Sequence, residues 1–285
     1  ERGIGRLCAS IDEHVVARWP RKFDIRKGWH AIRNRKLKAE KLYTVFGTEN
    51  NKTLWLWATR GNTRLAEQAK KAVAMIRRVY RPKRIRLLLD AGAARSDAEI
   101  VDMLAMERCT TLLRAPRRPN WIRRWKALPE DRFERILEPG PHTCAPPKQT
   151  YVTETRTVLK GPGGKRVSIR TIVAREGRKG GRKDCWHGLL TRDERTPSYD
   201  LIQEFRTRQG EEQSFRVGVH DISLDAVASG YNKNGRIDRP GFRQNAITFQ
   251  GWLKMLAQNV LLDFSRALPE AFLNNHPRTL RRWLL

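Results

Sequence analysis

Residues 85–89, IRLLL, make a short apolar run that stops at Asp90 and is followed by the small residues Ala-Gly-Ala-Ala. A run this short and this apolar predicts a buried strand. In α/β sheets, ligand sites lie beyond the carboxyl ends of strands, so an acid at that end is a candidate functional group. The neighbouring segments extend the pattern. Residues 7–11, LCASI, lead into Asp12-Glu13-His14 and predict a strand with a polar end. Residues 41–46 (KLYTVF) and 53–59 (TLWLWAT) are rich in β-branched and aromatic side chains, with the turn-forming GTENN between them, so they predict a hairpin. Asn62 is placed to cap a helix carrying Leu65, Ala69, Val73, Ile76 and Val79 as an apolar stripe, ended by Pro82. Asp97 is placed to cap a second helix with Ile100, Leu104 and Ala105 inward, and residues 110–115, TTLLRA, predict another strand.

The order β-β-β-α-β-α-β is that of an α/β chain with a ribonuclease H-like mixed sheet flanked by helices, the first strand pairing with the fourth. Residues 116–150 are rich in Pro and Arg, include Trp121 and Trp125, and predict an irregular basic connection. Residues 151–159 and 166–175 alternate around GPGGK, and 184–190 predicts a third strand, making a β-rich insertion. Helix is expected over 198–220, and again over 245–264, where Ile247, Trp252, Met255, Leu256 and Leu261 face a core. Three parts follow: 1–115, the first part of the core; 116–197, the basic connection and β insert; 198–285, the C-terminal helical part.

Charge narrows the partners. The 285 residues hold 58 Lys and Arg against 30 Asp and Glu, a formal charge of +28. Such a chain repels itself, and a polyanion relieves the repulsion, with nucleic acid as the first candidate. No run of eighteen apolar residues is present, so no membrane-spanning helix and no membrane partner are expected. Cys8, Cys109, Cys144 and Cys185 are far apart, which argues against a zinc site or a disulfide framework and predicts reduced thiols in a cytoplasmic protein. The first residue is Glu rather than Met, so a fragment is expected.

Phosphodiester chemistry with two divalent metals needs carboxylates that converge from different elements. Asp90 and Asp12, each predicted at a strand end, become neighbours if the first and fourth strands pair. A third acid is sought in QEFRTRQGEEQSFR, where Arg208, Glu212 and Arg216 recur at four-residue spacing on one helix face. Helix geometry alone does not choose between Glu204, Glu211 and Glu212.

At these residues the chain resembles the DDE transposases of bacterial insertion sequences, in the branch with a β-stranded insert before the final glutamate. IDEH, with Asp12, resembles the first-Asp motif. RLLLDAGAARSD, with Asp90, resembles the second. RTRQGEEQSFRVGVHDISLDAV resembles the C-terminal signature, in which an Arg precedes the catalytic Glu by four residues. That register selects Glu212, with Arg208 before it. The resemblance implies a transposase that cuts the ends of a transposable element and joins them to target DNA. It implies Asp12, Asp90 and Glu212 as catalytic and metal ligands for two Mg²⁺, with Mn²⁺ able to substitute. It implies phosphate contact by Arg208, with Arg216 and His220 as further DNA ligands. Trp186 is the aromatic of the insert that could stack a flipped base, against its ordinary reading as a packing residue. Double-stranded DNA, both element ends and target, is the implied partner, bound by a homodimer in a bacterial cytoplasm at the nucleoid. Three positions depart from the family pattern: Phe205 for Tyr, Val219 for Lys, and Glu13 for Gly. The alternative function is a decayed or truncated remnant that only binds DNA.

Overall fold

A computed structural model describes residues 5–17, 27–30, 35–94, 96–138, 148–177, 185–212, 214 and 242–269. The fold is mixed α/β, a large mixed sheet flanked by helices, with the expected strands and helices in the expected order and one further short strand among them. The chain divides into two compact units. One comprises residues 1–7 and 69–207, the other 8–68 and 208–285.

The second unit is built on a meander. β1 (Arg6–Ala17) pairs antiparallel with β3 (Arg35–Gly47), and β3 pairs antiparallel with β4 (Lys52–Arg60). A short strand, β2 (Lys27–His30), pairs with the start of β3 and has no counterpart in the expected pattern. β1 also outruns its expectation. The strand continues for five residues past Asp12, because β3 supplies partners as far as Ala17 opposite Ala39. Asp12 is therefore a mid-strand residue, opposite Thr44. The hairpin between β3 and β4 lies where GTENN predicted it, and Asn51 takes the left-handed conformation (φ 55°) that Asn tolerates.

The long helix α5 (Phe242–Ala267) covers the meander, and in this unit it protects an edge. Among the described residues no strand pairs with the outer side of β4, and an open edge leaves backbone groups unpaired. Thr248 Oγ1 accepts from the Ala58 N–H at 2.9 Å. Asn259 meets both backbone groups of Thr53: its Oδ1 accepts from the N–H at 3.2 Å and its Nδ2 donates to the carbonyl at 2.9 Å. Val16, Leu42, Leu56, Ala58, Ile247 and Met255 pack together beneath, with Trp252 against them. A Cβ on Gly251 would stand 2.4 Å from a methyl of Leu56, so glycine sets how closely the helix approaches. Leu256, expected inward, is exposed on a row with Phe249, Leu253, Val260 and Phe264.

In the first unit the start of β1 runs beside β5 (Arg84–Asp90): the Arg84 N–H donates to the Gly5 carbonyl at 3.2 Å. This is the expected meeting of first and fourth strands. β5 pairs parallel with β6 (Thr110–Arg114). The sheet then continues antiparallel through β10 (Cys185–Thr191), β9 (Arg166–Glu176), β8 (Lys148–Lys160) and β7 (Glu134–Glu138). The β-rich insertion thus extends the central sheet.

Helix α1 (Leu65–Tyr80) begins two residues later than Asn62 suggested. Its first intrahelical bond runs from the Gln68 N–H to the Arg64 carbonyl, making Arg64 the cap residue. Val79 is exposed. Helix α2 (Asp97–Leu104) is capped by Ser96, whose hydroxyl accepts from the Glu99 N–H at 3.3 Å; Asp97 is its first residue, and Ala105 is exposed just past its end. The basic connection is more ordered than expected. Pro119 opens helix α3 (Pro119–Lys126), Pro being well suited to a first helical turn. Trp121 and Trp125, four residues apart, are buried on its inner face. The ring of Trp125 packs against β10: a Cβ on Gly188 would stand 2.5 Å from it.

The segment expected as one helix over 198–220 breaks. Helix α4 (Ser198–Arg206) ends, Thr207 and Arg208 form a turn, and helix resumes over 209–212. Buried charges anchor the start of α4. Arg170 donates to both oxygens of Glu154, at 3.0 and 2.5 Å, and to the carbonyls of Asp193 and Thr196, at 2.6 and 2.9 Å. Arg86 pairs with Asp193 at 2.6 Å and with Glu204 at 3.3 Å. Burial alone would raise the Asp193 carboxyl, but bonds from Thr196, Arg86 and Arg195 outweigh it and hold the group well below the usual range.

Candidate functional site

Side chains alternate along a strand, so Ser10, Asp12 and His14 share one face of β1 and Glu13 occupies the other. Glu13 is engaged structurally: its carboxylate accepts from Lys41 Nζ and the Tyr43 hydroxyl, both at 2.8 Å. Burial first, then the charge of Glu13, drives the Tyr43 hydroxyl far above its ordinary range. Glu13 is thus held in an ion pair on the face away from Asp12.

On the Asp12 face, in the second unit, one cation gathers three carboxylates. Arg208 is only 5% exposed. Its Nη2 donates to Asp12 Oδ1 at 2.9 Å, its Nε lies 3.8 Å from Glu211 Oε2, and its Nη1 lies 3.6 Å from Glu212 Oε1. The break after α4 makes this possible. With Arg208 in a turn, Glu211 and Glu212 follow in the next helical stretch, about 100° apart in direction. Glu211 points inward at 1% exposure, and Thr44 Oγ1 donates to its Oε1 at 3.1 Å. Glu212 points outward, with its side chain 60% exposed. Burial, then the nearby charge of Asp12, pushes the Glu211 carboxyl up to about 8, against the pull of Arg208 and the Ser10 and Thr44 hydroxyls. Glu211 is thus the buried acid of the three, and Asp12 and Glu212 flank the arginine as the carboxylates open to solvent.

Asp90 belongs to the first unit. It ends β5, as expected, and also caps the turn that follows: Oδ1 accepts from the Gly92 N–H at 2.7 Å. A Cβ on Gly92 would stand 3.1 Å from that oxygen, so glycine leaves the carboxylate room. Asp90 Oδ2 lies 3.7 Å from Arg114 Nη1, one strand over and in register.

Other candidates fall elsewhere. Glu204 pairs with Arg6 and Arg86, in the anchor of α4. Trp186 meets Phe133 edge-on at 5.9 Å and lies 5.6 Å from the Arg175 guanidinium, which Phe133 and Tyr151 also approach; its ring packs within the insert. Arg216 and His220 lie outside the described residues. Thr44 and Arg114 are site residues that pattern reading missed. Arg114 had a signal, since LLLD and TLLR end in parallel strands with an acid and a base in corresponding places.

No family model matches this chain, and no curated protein matches it. A solved structure is similar at low level. It is a cryo-EM structure of a piggyBac transposase synaptic complex with hairpin DNA, with 12% identity and a TM-score of 0.39. The match covers 89% of this chain and 48% of that one, so the chain spans about half the length of the solved structure. A likeness of that size leaves the chemistry to be argued from the residues.

Carboxylate oxygens suit a hard divalent cation, and Glu211 Oε2 is buried without a hydrogen-bond partner among the described residues. Glu211 is buried, whereas Asp12 and Glu212 border solvent. Among the described residues no three His, Cys, Asp or Glu side chains are gathered as a metal cage. The fit is therefore one of donor chemistry and access at Asp12 and Glu212.

Proposed function

We propose that this chain is the catalytic core of a DNA transposase, acting by divalent-metal phosphoryl transfer on double-stranded DNA. The observation that carries this reading is the convergence of Asp12 and Glu212 on buried Arg208, in a chain of +28 net charge. Asp12 and Glu212 in the second unit, and Asp90 in the first, are the carboxylates this reading assigns to two Mg²⁺, or Mn²⁺ in their place. When bound, such ions activate the attacking oxygen and stabilise the leaving one. The chain's own residues prepare that site. Arg208 holds the carboxylates of Asp12 and Glu212 in place, and its fork suits a phosphate oxygen once a cation shares their charge. Glu211, hydrogen-bonded to Thr44, lies buried beside Arg208. Joining two element ends calls for two copies on the DNA.

The absence of a three-acid cage among the described residues favours a second reading, a DNA-binding remnant without catalysis. One experiment separates them. Supercoiled plasmid and duplex oligonucleotides are incubated with the protein in Mg²⁺ or Mn²⁺, and nicking and strand joining are scored. The transposase reading expects metal-dependent products that vanish in Asp12→Ala, Asp90→Ala and Glu212→Gln and persist in Glu211→Gln. DNA binding that ignores Mg²⁺, is unchanged in Asp90→Ala and yields no product establishes the remnant.

A further inference from the structure

A row of polar side chains runs along the strand ends beside Asp90, all within the first unit. Asp90 on β5 is in register with Arg114 on β6, and Arg114 with Leu189 on β10. His187, two residues before Leu189 on β10, turns its ring toward both nearby arginines. Its Nδ1 lies 3.3 Å from Arg114 Nη2 and 3.4 Å from Arg117 Nη2. A guanidinium only donates, so Nδ1 must accept, and the ring proton sits on Nε2. Nε2 in turn lies 3.8 Å from Glu176 Oε2, while the other oxygen of Glu176 accepts from Arg206 at 2.8 Å. The Arg117 Nη2 also reaches Cys185 Sγ at 3.4 Å.

Two guanidiniums thus meet on one imidazole nitrogen that has no full charge to offer either. Their Nη2 atoms can be no more than about 7 Å apart, a separation at which like charges repel appreciably in a protein surface environment. Asp90 is 3.7 Å from Arg114, and among the described residues no acid pairs with Arg117. An anion seated between the two forks would remove the repulsion. Both are reachable: the Arg114 side chain is 29% exposed, and Arg117 is exposed. The planar fork of arginine matches phosphate oxygens in pairs.

We propose that Arg114 and Arg117, oriented by His187, form a clamp that binds a DNA backbone phosphate beside Asp90. The clamp deepens the phosphoryl-transfer reading and rests on it for the identity of the polyanion. His187 is a positioning residue, since it supplies an acceptor that aims the two forks.

The test uses the full chain and a short DNA duplex in EDTA, with binding followed by fluorescence anisotropy over a range of KCl concentrations. Each phosphate contact adds about 0.9 to the slope of log affinity against log salt. The double variant Arg114→Gln/Arg117→Gln is expected to lose about 0.9 of slope, the share of the one phosphate held between the two forks. Arg117→Lys, which keeps the charge and loses the fork, is expected to retain the slope with weaker binding. His187→Phe is expected to weaken binding in the same direction as Arg117→Lys. Thermal melts confirm that each variant is folded. A folded double variant with the slope of the unmodified chain overturns the clamp and leaves the transposase reading in place. No binding by the unmodified chain overturns both. A reduced slope in a chain that yields no nicked DNA supports the clamp and sinks only the catalytic reading.

Discussion

At the scale of single residues, the chain treats its acids in two ways. Some are consumed by structure: Glu13 by Lys41 and Tyr43, Glu154 by Arg170, Asp193 by Arg86 and Thr196. Others are left more open: Asp12 and Glu212 beside Arg208 in the second unit, and Asp90 at the end of β5 in the first. Their neighbours in sequence do not tell the two groups apart. The pH dependence of stability does so for Asp193. Its carboxyl is held below the usual range in the folded chain, so the folded state binds fewer protons than the unfolded one between the two values. That stabilisation is present above the unfolded value, about 3.9, and is lost as pH falls through it toward the lower folded value. Thermal melts from neutral pH to about pH 3 are expected to show the unmodified chain losing Tm faster than Asp193→Asn; parallel curves would remove Asp193 from the anchor of α4.

At the scale of elements, glycines and amides decide how closely helices meet the sheet. Gly188 lets the ring of Trp125 lie on β10, with no space for a methyl. Gly188→Ala is expected to destabilise by about 1–3 kcal/mol, the usual range for overpacking, and to lower Tm by several degrees. A melt equal to that of the unmodified chain would mean that α3 can lift off β10 freely. Asn259 serves β4 in the same way that a further strand would. Asn259→Ala leaves the Thr53 N–H and carbonyl to find other partners, and is expected to cost about 1–3 kcal/mol, measurable by urea unfolding. Element boundaries follow the same logic. β1 reaches Ala17 because β3 offers it partners, and α4 stops at Arg206 although its sequence pattern carries on.

At the scale of the whole molecule, charge dominates the expected behaviour. A net +28 predicts DNA binding that is steep in salt and indifferent to sequence. With six or more phosphates neutralised, affinity is expected to drop about a thousandfold or more between roughly 50 and 200 mM salt. Filter binding on two unrelated duplexes checks this, and a flat salt response would sink the polyanion reading. The strand and helix order was legible because apolar periodicity is local: LCASI, KLYTVF, TLWLWAT, IRLLL and TTLLRA each lie within a strand of the fold, or extend one residue past its end. The site was legible in part. Asp90 ends its strand as the run IRLLL implied, and Arg208 meets Asp12. What the chain by itself determined was the set of buried runs and the surplus of positive charge, since both depend on residue types and short spacings. Only tertiary structure decided which of Glu204, Glu211 and Glu212 faces solvent beside Asp12, and that Arg114, Arg117 and His187 share one end of the sheet. Those relations depend on partners far away in sequence, and on a turn at Thr207 and Arg208 that no local propensity foretells.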